Sequence, residues 1–147
     1  MSNYNKLMSM RGVISLISRI RENANRFIVR EMGQRGMEGL ATSHGDILLA
    51  LFRQSSLSMS ELARIINREK PTVTVLVDKL AALGYVQRTR DREDNRVTMV
   101  SLTPRGRALQ SAFAAISDLL LEKVYQGFTE EEKEVLISLL ERISRNL

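Results

Sequence analysis

Apolar positions along this chain keep one period, switch to another, and then return to the first. From residue 11 to 32 they fall at alternating four- and three-residue steps, Val13, Ile17, Ile20, Ala24 and Phe27, with Ile14 and Ile28 widening the stripe. Arg19, Glu22, Arg26 and Arg30 occupy the other side, so the spacing predicts an amphipathic helix closed by Gly33 and Gly36. Ser43 precedes a shorter, more apolar helix that begins at His44 and carries Ile47, Leu48, Ala50 and Leu51. Ser58 and Glu61 have capping-box spacing, and Leu62, Ile65 and Ile66 follow as one face of a third helix. Asn67 is its stop, because asparagine is, after glycine, the residue most tolerant of positive φ. Lys70-Pro71 opens a fourth helix at a point where proline sacrifices no intrahelical bond; Val73, Leu76, Val77 and Leu80 line its buried side and Gly84 closes it.

The period then drops to two. Residues 85–90 and 96–102 are rich in β-branched and aromatic side chains, and the polar residues 91–95 between them predict a hairpin with a five-residue tip. Thr103-Pro104 reads as cap and first residue of a long helix carrying Leu109, Phe113, Ile116 and Leu120 and fading at Gly127. Thr129 and Glu132 form a second capping box before a last helix striped by Val135, Leu136, Leu139, Leu140 and Ile143. Its acidic first turn and its basic last turn, with Arg142 and Arg145, suit the helix dipole. The fold class is therefore mainly α with a minor β part. A winged helix-turn-helix occupies 42–106, with its recognition helix at about 70–83 and its wing at 85–102. The N-terminal helix (1–35) and the C-terminal helices (104–147) are more helix than a winged motif needs, with stripes too long for one small core to cover.

Charge sharpens that picture. Residues 52–110 hold eleven Lys and Arg against six Asp and Glu, while the rest of the chain is balanced, so the whole net charge of +5 sits in the middle segment. A local surplus of this kind suits a polyanion. Within residues 88–96, seven of nine side chains are charged: Arg88, Arg90, Asp91, Arg92, Glu93, Asp94 and Arg96. A hairpin so armed can cross a phosphate ridge and place arginine in a narrow minor groove, where negative potential concentrates. Asp91 and Asp94 can hold its tip in one shape by pairing with neighbouring arginines. In the fourth helix Lys70, Pro71, Thr72, Thr74 and Val75 take the positions that face base edges, and Lys79 lies further along, nearer backbone. Ser58 and Ser60, at the start of the preceding helix, complete the DNA-facing set.

Other classes fit poorly. No apolar run approaches the ~20 residues of a membrane span, and the N-terminal stretch lacks a secretory pattern, so no membrane partner and a cytoplasmic setting are expected. The chain has no cysteine and one histidine, which leaves no His/Cys metal site and no thiol switch, and no cofactor is expected. The acidic residues of the hairpin have no glycine-rich loop or nucleophile–base pair beside them, so the chain is not read as an enzyme. An alternative remains, a non-catalytic helical module whose winged motif contacts protein.

From about residue 11 onward the sequence resembles the MarR family (multiple antibiotic resistance regulators) of bacterial transcription factors. The resemblance is carried by SMSELARIINREKPTVTVLVDKLAALGYVQR, then DREDNR at 91–96, then VTMVSLTPRG. Asp91, Asp94, Arg96, Leu102, Thr103 and Gly106 match the family's wing pattern, Asp-x-Arg-Asp-x-Arg followed by a strand and Leu-Thr-x-x-Gly. Glu93 departs from it, standing where the pattern has arginine, with Arg92 one position earlier. Val75 stands where these proteins often carry arginine, and Glu69 where Ser or Asp usually caps. The resemblance implies a homodimer held by its terminal helices on a pseudo-palindromic double-stranded DNA operator. It also implies a repressor relieved by a small-molecule effector in a crevice between the dimerisation lobe and the DNA-binding lobe. His44 is a weak candidate for touching that effector, and the seven methionines, Met8, Met10, Met32 and Met37 among them, are read mainly as packing.

Overall fold

The computed structural model describes residues 3–147, apart from the side chains of Tyr4, Leu7 and Met8, so the expectation for Met8 lies outside the described residues. Its elements run α1 (Asn3–Arg11), α2 (Val13–Gln34), α3 (Thr42–Arg53), β1 (Ser56–Ser58), α4 (Met59–Ile66), α5 (Lys70–Ala82), β2 (Val86–Arg90), β3 (Thr98–Leu102), α6 (Pro104–Arg107), α7 (Gln110–Val124) and α8 (Glu130–Asn146). The strands form one antiparallel sheet in the order β1-β3-β2.

Local chemistry sets most of the boundaries. Ser58 Oγ accepts the Glu61 N–H at 3.1 Å while the Glu61 carboxylate accepts the Ser58 N–H at 2.7 Å, so the capping box starts α4. Asn67 ends it at φ 54°, the one non-glycine residue with positive φ among the described residues. The Arg68 and Asn67 N–H groups bond back to Ala63 and Arg64, which satisfies carbonyls the helix end would otherwise orphan. Gly84, at φ +81°, closes α5 in the same way, with Tyr85 N–H on the Leu80 carbonyl. Thr129 and Glu132 start α8 reciprocally at 3.0 and 3.1 Å.

Four features differ from the sequence reading. Gly12 interrupts the first helix, so residues 3–11 form a separate short α1. The second helix begins at Thr42 on an Ala41 N-cap, not after Ser43; alanine offers no acceptor, and His44 supplies one by taking the Ala41 N–H on Nδ1 at 2.8 Å. β1 is an additional strand, three residues whose only strand partner is β3, with Leu57 opposite Val100. The long helix after Thr103 is broken after one turn. There the Leu109 N–H reaches the Gly106 carbonyl at 3.1 Å and α7 starts afresh.

The core gathers Ile47, Leu48 and Leu51 of α3, Leu62 of α4, Val73, Val77 and Leu80 of α5, and Leu57, Val86, Val100 and Leu102 of the sheet, all buried. Met32 and Met37 are buried where α2 ends, whereas Met10 is exposed. The end helices are different. Met32 is the only buried residue of α2, Val13, Ile14 and Ile20 of its predicted stripe are exposed, and none of α8 is buried. Val135, Leu139 and Leu140 face water, while Leu136 and Ile143 are half-buried.

Gly106 sits where no side chain fits: a Cβ there would lie 1.9 Å from the Tyr85 carbonyl oxygen. The contact belongs to the joint at which Thr103 Oγ1 donates to the Gly84 carbonyl and accepts the Gly106 N–H at 3.1 Å. Gly106→Ala must push α6 off the wing's base and is expected to cost about 1–3 kcal/mol, the usual range for overpacking, read as a fall in the urea midpoint. An unchanged midpoint would show the joint to be soft.

Burial, with the Lys79 charge adding to it, lowers the His44 pKa from its ordinary 6.5. Protonating Nδ1 would also forfeit the bond from Ala41, and a cation at a helix start opposes the dipole. Since the folded pKa is the lower one, the stabilisation is complete above pH 6.5 and is lost as pH falls through the folded value. His44→Gln, which cannot titrate, is expected to flatten the pH dependence of the melting temperature in that window; a parallel curve would contradict this.

Candidate nucleic-acid interface

The helix-turn-helix is α4, the Asn67 turn, and α5. Burying Val73, Val77 and Leu80 fixes which side of α5 meets the core, and this leaves Lys70, Pro71, Thr72, Thr74, Val75, Asp78 and Lys79 exposed. Val75 is 67% exposed, beside two fully buried valines of the same helix, so its position does not serve the core. Glu69 is the N-cap without a side-chain capping bond, and among the described residues it has no ion-pair partner. Ser58 is engaged in its capping box, and Ser60 is exposed in the first turn of α4.

Three predicted contacts have partners inside the protein. The Arg88 guanidinium forms an ion pair with the Asp78 carboxylate and reaches the Thr74 carbonyl at 3.5 Å, so it clasps the wing's first strand to α5. The Lys79 ammonium donates to the Gly39 carbonyl in the α2–α3 connection. Thr74 Oγ1 donates to the Lys70 carbonyl at 3.1 Å, which leaves its lone pairs and methyl for anything outside.

In the wing the paired strands are 86–90 and 98–102, so the tip runs over 91–97, two residues longer than expected. Asp94 shapes it: its carboxylate accepts from the Arg96 backbone N–H at 3.0 Å and from the Arg96 guanidinium at 3.1 and 3.2 Å. Those bonds from Arg96 hold the Asp94 pKa below the usual carboxylate range. Asp91 contributes through its main chain, its N–H on the Val97 carbonyl at 2.9 Å, and not through an arginine. Arg90 and Arg92 are exposed and, among the described residues, have no acidic partner. They are the wing's uncommitted cations.

A cavity of about 160 Å³ lies among α2, α3 and α7, with Ile28, Phe113 and Ile116 on its apolar wall and Asp46 among its polar groups. Burial raises the Asp46 pKa, against the pull of Arg68 and Arg21. His44 does not line this cavity, although its neighbours Thr42 and Gly45 do; its imidazole is turned to the Ala41 cap. The sequence reading missed Asp46, whose chemistry shows only once α2 and α7 enclose it. Among the described residues no helix is long and apolar enough to cross a membrane, and no cluster of three His, Asp or Glu is placed to hold a metal.

Comparison with known proteins places this arrangement. Residues 41–98 match the model of the MarR family. The chain is 30% identical to the HTH-type transcriptional regulator SarZ of Staphylococcus haemolyticus over 68% of this chain and 67% of that protein. It is 34% identical to the HTH-type transcriptional repressor YetL of Bacillus subtilis, over 69% and 62%. An uncharacterised HTH-type regulator of Bacillus subtilis, YdgJ, is 29% identical over 74% and 66%, so the chain spans about two thirds of the length of these relatives. Among solved structures, a mutant MarR from E. coli complexed with operator DNA superposes with a TM-score of 0.80 at 18% identity, over 97% of this chain and 99% of that one. Family model, relatives and fold agree: the chain belongs to the MarR family of winged helix-turn-helix transcriptional regulators.

Proposed function

We propose that the protein is a homodimeric, sequence-specific DNA-binding repressor of nearby genes, released from a pseudo-palindromic operator by a small molecule. The observation that carries the reading is the joined surface of α5 and the wing. The helix presents Lys70 to Val75 outward, and Arg88 fixes the hairpin beside it with Arg90 and Arg92 uncommitted. A helix of this width enters the major groove, and the wing then falls over the neighbouring phosphates and minor groove. Operator DNA bound by the E. coli MarR of similar fold, and the repressor named among the relatives, support the same reading.

Dimerisation is supported by the uncovered stripes of α2 and α8. A seventeen-residue helix with no buried position does not stand alone in water, and a second copy supplies the missing apolar surface. Two recognition helices then lie about one DNA turn, roughly 34–36 Å, apart. The effector's place is the cavity among α2, α3 and α7, whose small volume suits a ligand of one ring.

Duplex binding followed by fluorescence anisotropy across a salt series tests the proposal. Each phosphate contact contributes about 0.9 to the slope of log affinity against log salt, so Arg92→Ala is expected to flatten it by about 1.8 in a dimer. A slope identical to that of the parent protein would remove the wing tip from the interface. Leu139→Glu, at an exposed position, is expected to halve the mass in sedimentation. A dimer that persists would place the subunit contact elsewhere.

A further inference from the structure

We propose that α5 reads its operator through carbon, with Val75 packed against the C5 methyl of a thymine in each half-site. The inference rests on the DNA-binding reading above and names the kind of base that reading selects.

The outward face of α5 has few polar groups left to offer. Asp78 is neutralised by Arg88, Lys79 is turned to Gly39, and the Thr74 hydroxyl has given its proton to the Lys70 carbonyl. Lys70 and Thr72 remain at the first turn, one a point charge and the other a short hydroxyl. Behind them the largest outward side chain with no partner inside the protein is Val75, 67% exposed, next to Thr74 and three positions after Thr72. No arginine, asparagine or glutamine lies on α5, and Lys70 is its one cation free to meet a guanine edge or a phosphate.

A valine in the major groove meets an asymmetric choice. Thymine alone of the four bases carries a methyl on its major-groove edge; adenine, guanine and cytosine present donors and acceptors that valine would desolvate without pairing. Selection therefore works in both directions, by gaining an apolar contact at thymine and by stranding polar edges elsewhere. Burying one methyl against another is worth about a fourfold change in affinity.

The test uses the intact protein and a randomised duplex library. Bound duplexes are sequenced and the consensus is made as a probe. Each dT is then replaced by dU, which removes the methyl and keeps the base pair. The expected result is one position per half-site where uracil weakens binding about fourfold, and about 15-fold when both half-sites are changed. Val75→Ser, whose side chain carries no methyl, should bind thymine and uracil probes equally, while Val75→Thr, which keeps one, should retain the preference. At an exposed position neither change threatens folding, which circular dichroism confirms. Binding that is insensitive to uracil at every position, or a Val75→Ser variant that still discriminates, overturns the inference while leaving DNA binding intact. Failure to retain any duplex overturns DNA binding and this inference together.

Discussion

A two-stranded hairpin is marginal in water and has no orientation of its own, so whatever fixes its base decides whether it is a usable surface. Here β1 turns the hairpin into a three-stranded sheet, and the Arg88–Asp78 pair ties β2 to the outer side of α5. The pair is part-exposed, and such pairs contribute little to stability, ~0–1 kcal/mol. Its consequence is geometric. It holds the wing beside α5, the proposed recognition helix, and it removes one cation and one carboxylate from the charges the surface can offer. Arg90 and Arg92 keep the wing's electrostatic reach, and Asp94 with Arg96 keeps the tip in one conformation.

The two ends of the chain obey a different constraint. The core centres on α3 and takes in Met32 of α2 and Phe113 and Ile116 of α7, whereas α2 and α8 expose aliphatic side chains along much of their length. A surface of this kind asks for a second copy. In the proposed dimer the cavity among α2, α3 and α7 would lie at the seam between the core and the helices that a partner would cover. A ligand wedged there would shift one side of the seam against the other, which is how the proposed effector would change the spacing of two recognition helices.

Much of the fold was legible because its signals are local. The Ser58–Glu61 and Thr129–Glu132 boxes, the Asn67 stop, the Gly84 close and the Thr103 cap each depend on residues within a few positions of one another, and each stands where the sequence pointed. What escaped depends on partners far along the chain. β1 is three residues long and exists only because β3 lies beside it. Lys79 finds Gly39 forty positions away. Arg88 sits in a run of alternating charges where several pairings look equal, and only the packed hairpin brings Asp78 within its reach. Ala41 could not be recognised as a cap, because the acceptor for its N–H is the imidazole of His44. The sequence thus pointed to a set of candidate residues, but not to the division between those turned outward and those bonded within the protein.

That division is tested most directly by a charge exchange between Arg88 and Asp78, with DNA affinity measured for Arg88→Asp, Asp78→Arg and the two combined. If the pair sets the angle between wing and helix, each single change weakens binding and the combination recovers most of the loss, despite the moved charges. If Arg88 acts instead as a direct phosphate contact, Asp78→Arg strengthens binding and the combined variant stays as weak as Arg88→Asp alone, which would contradict the account.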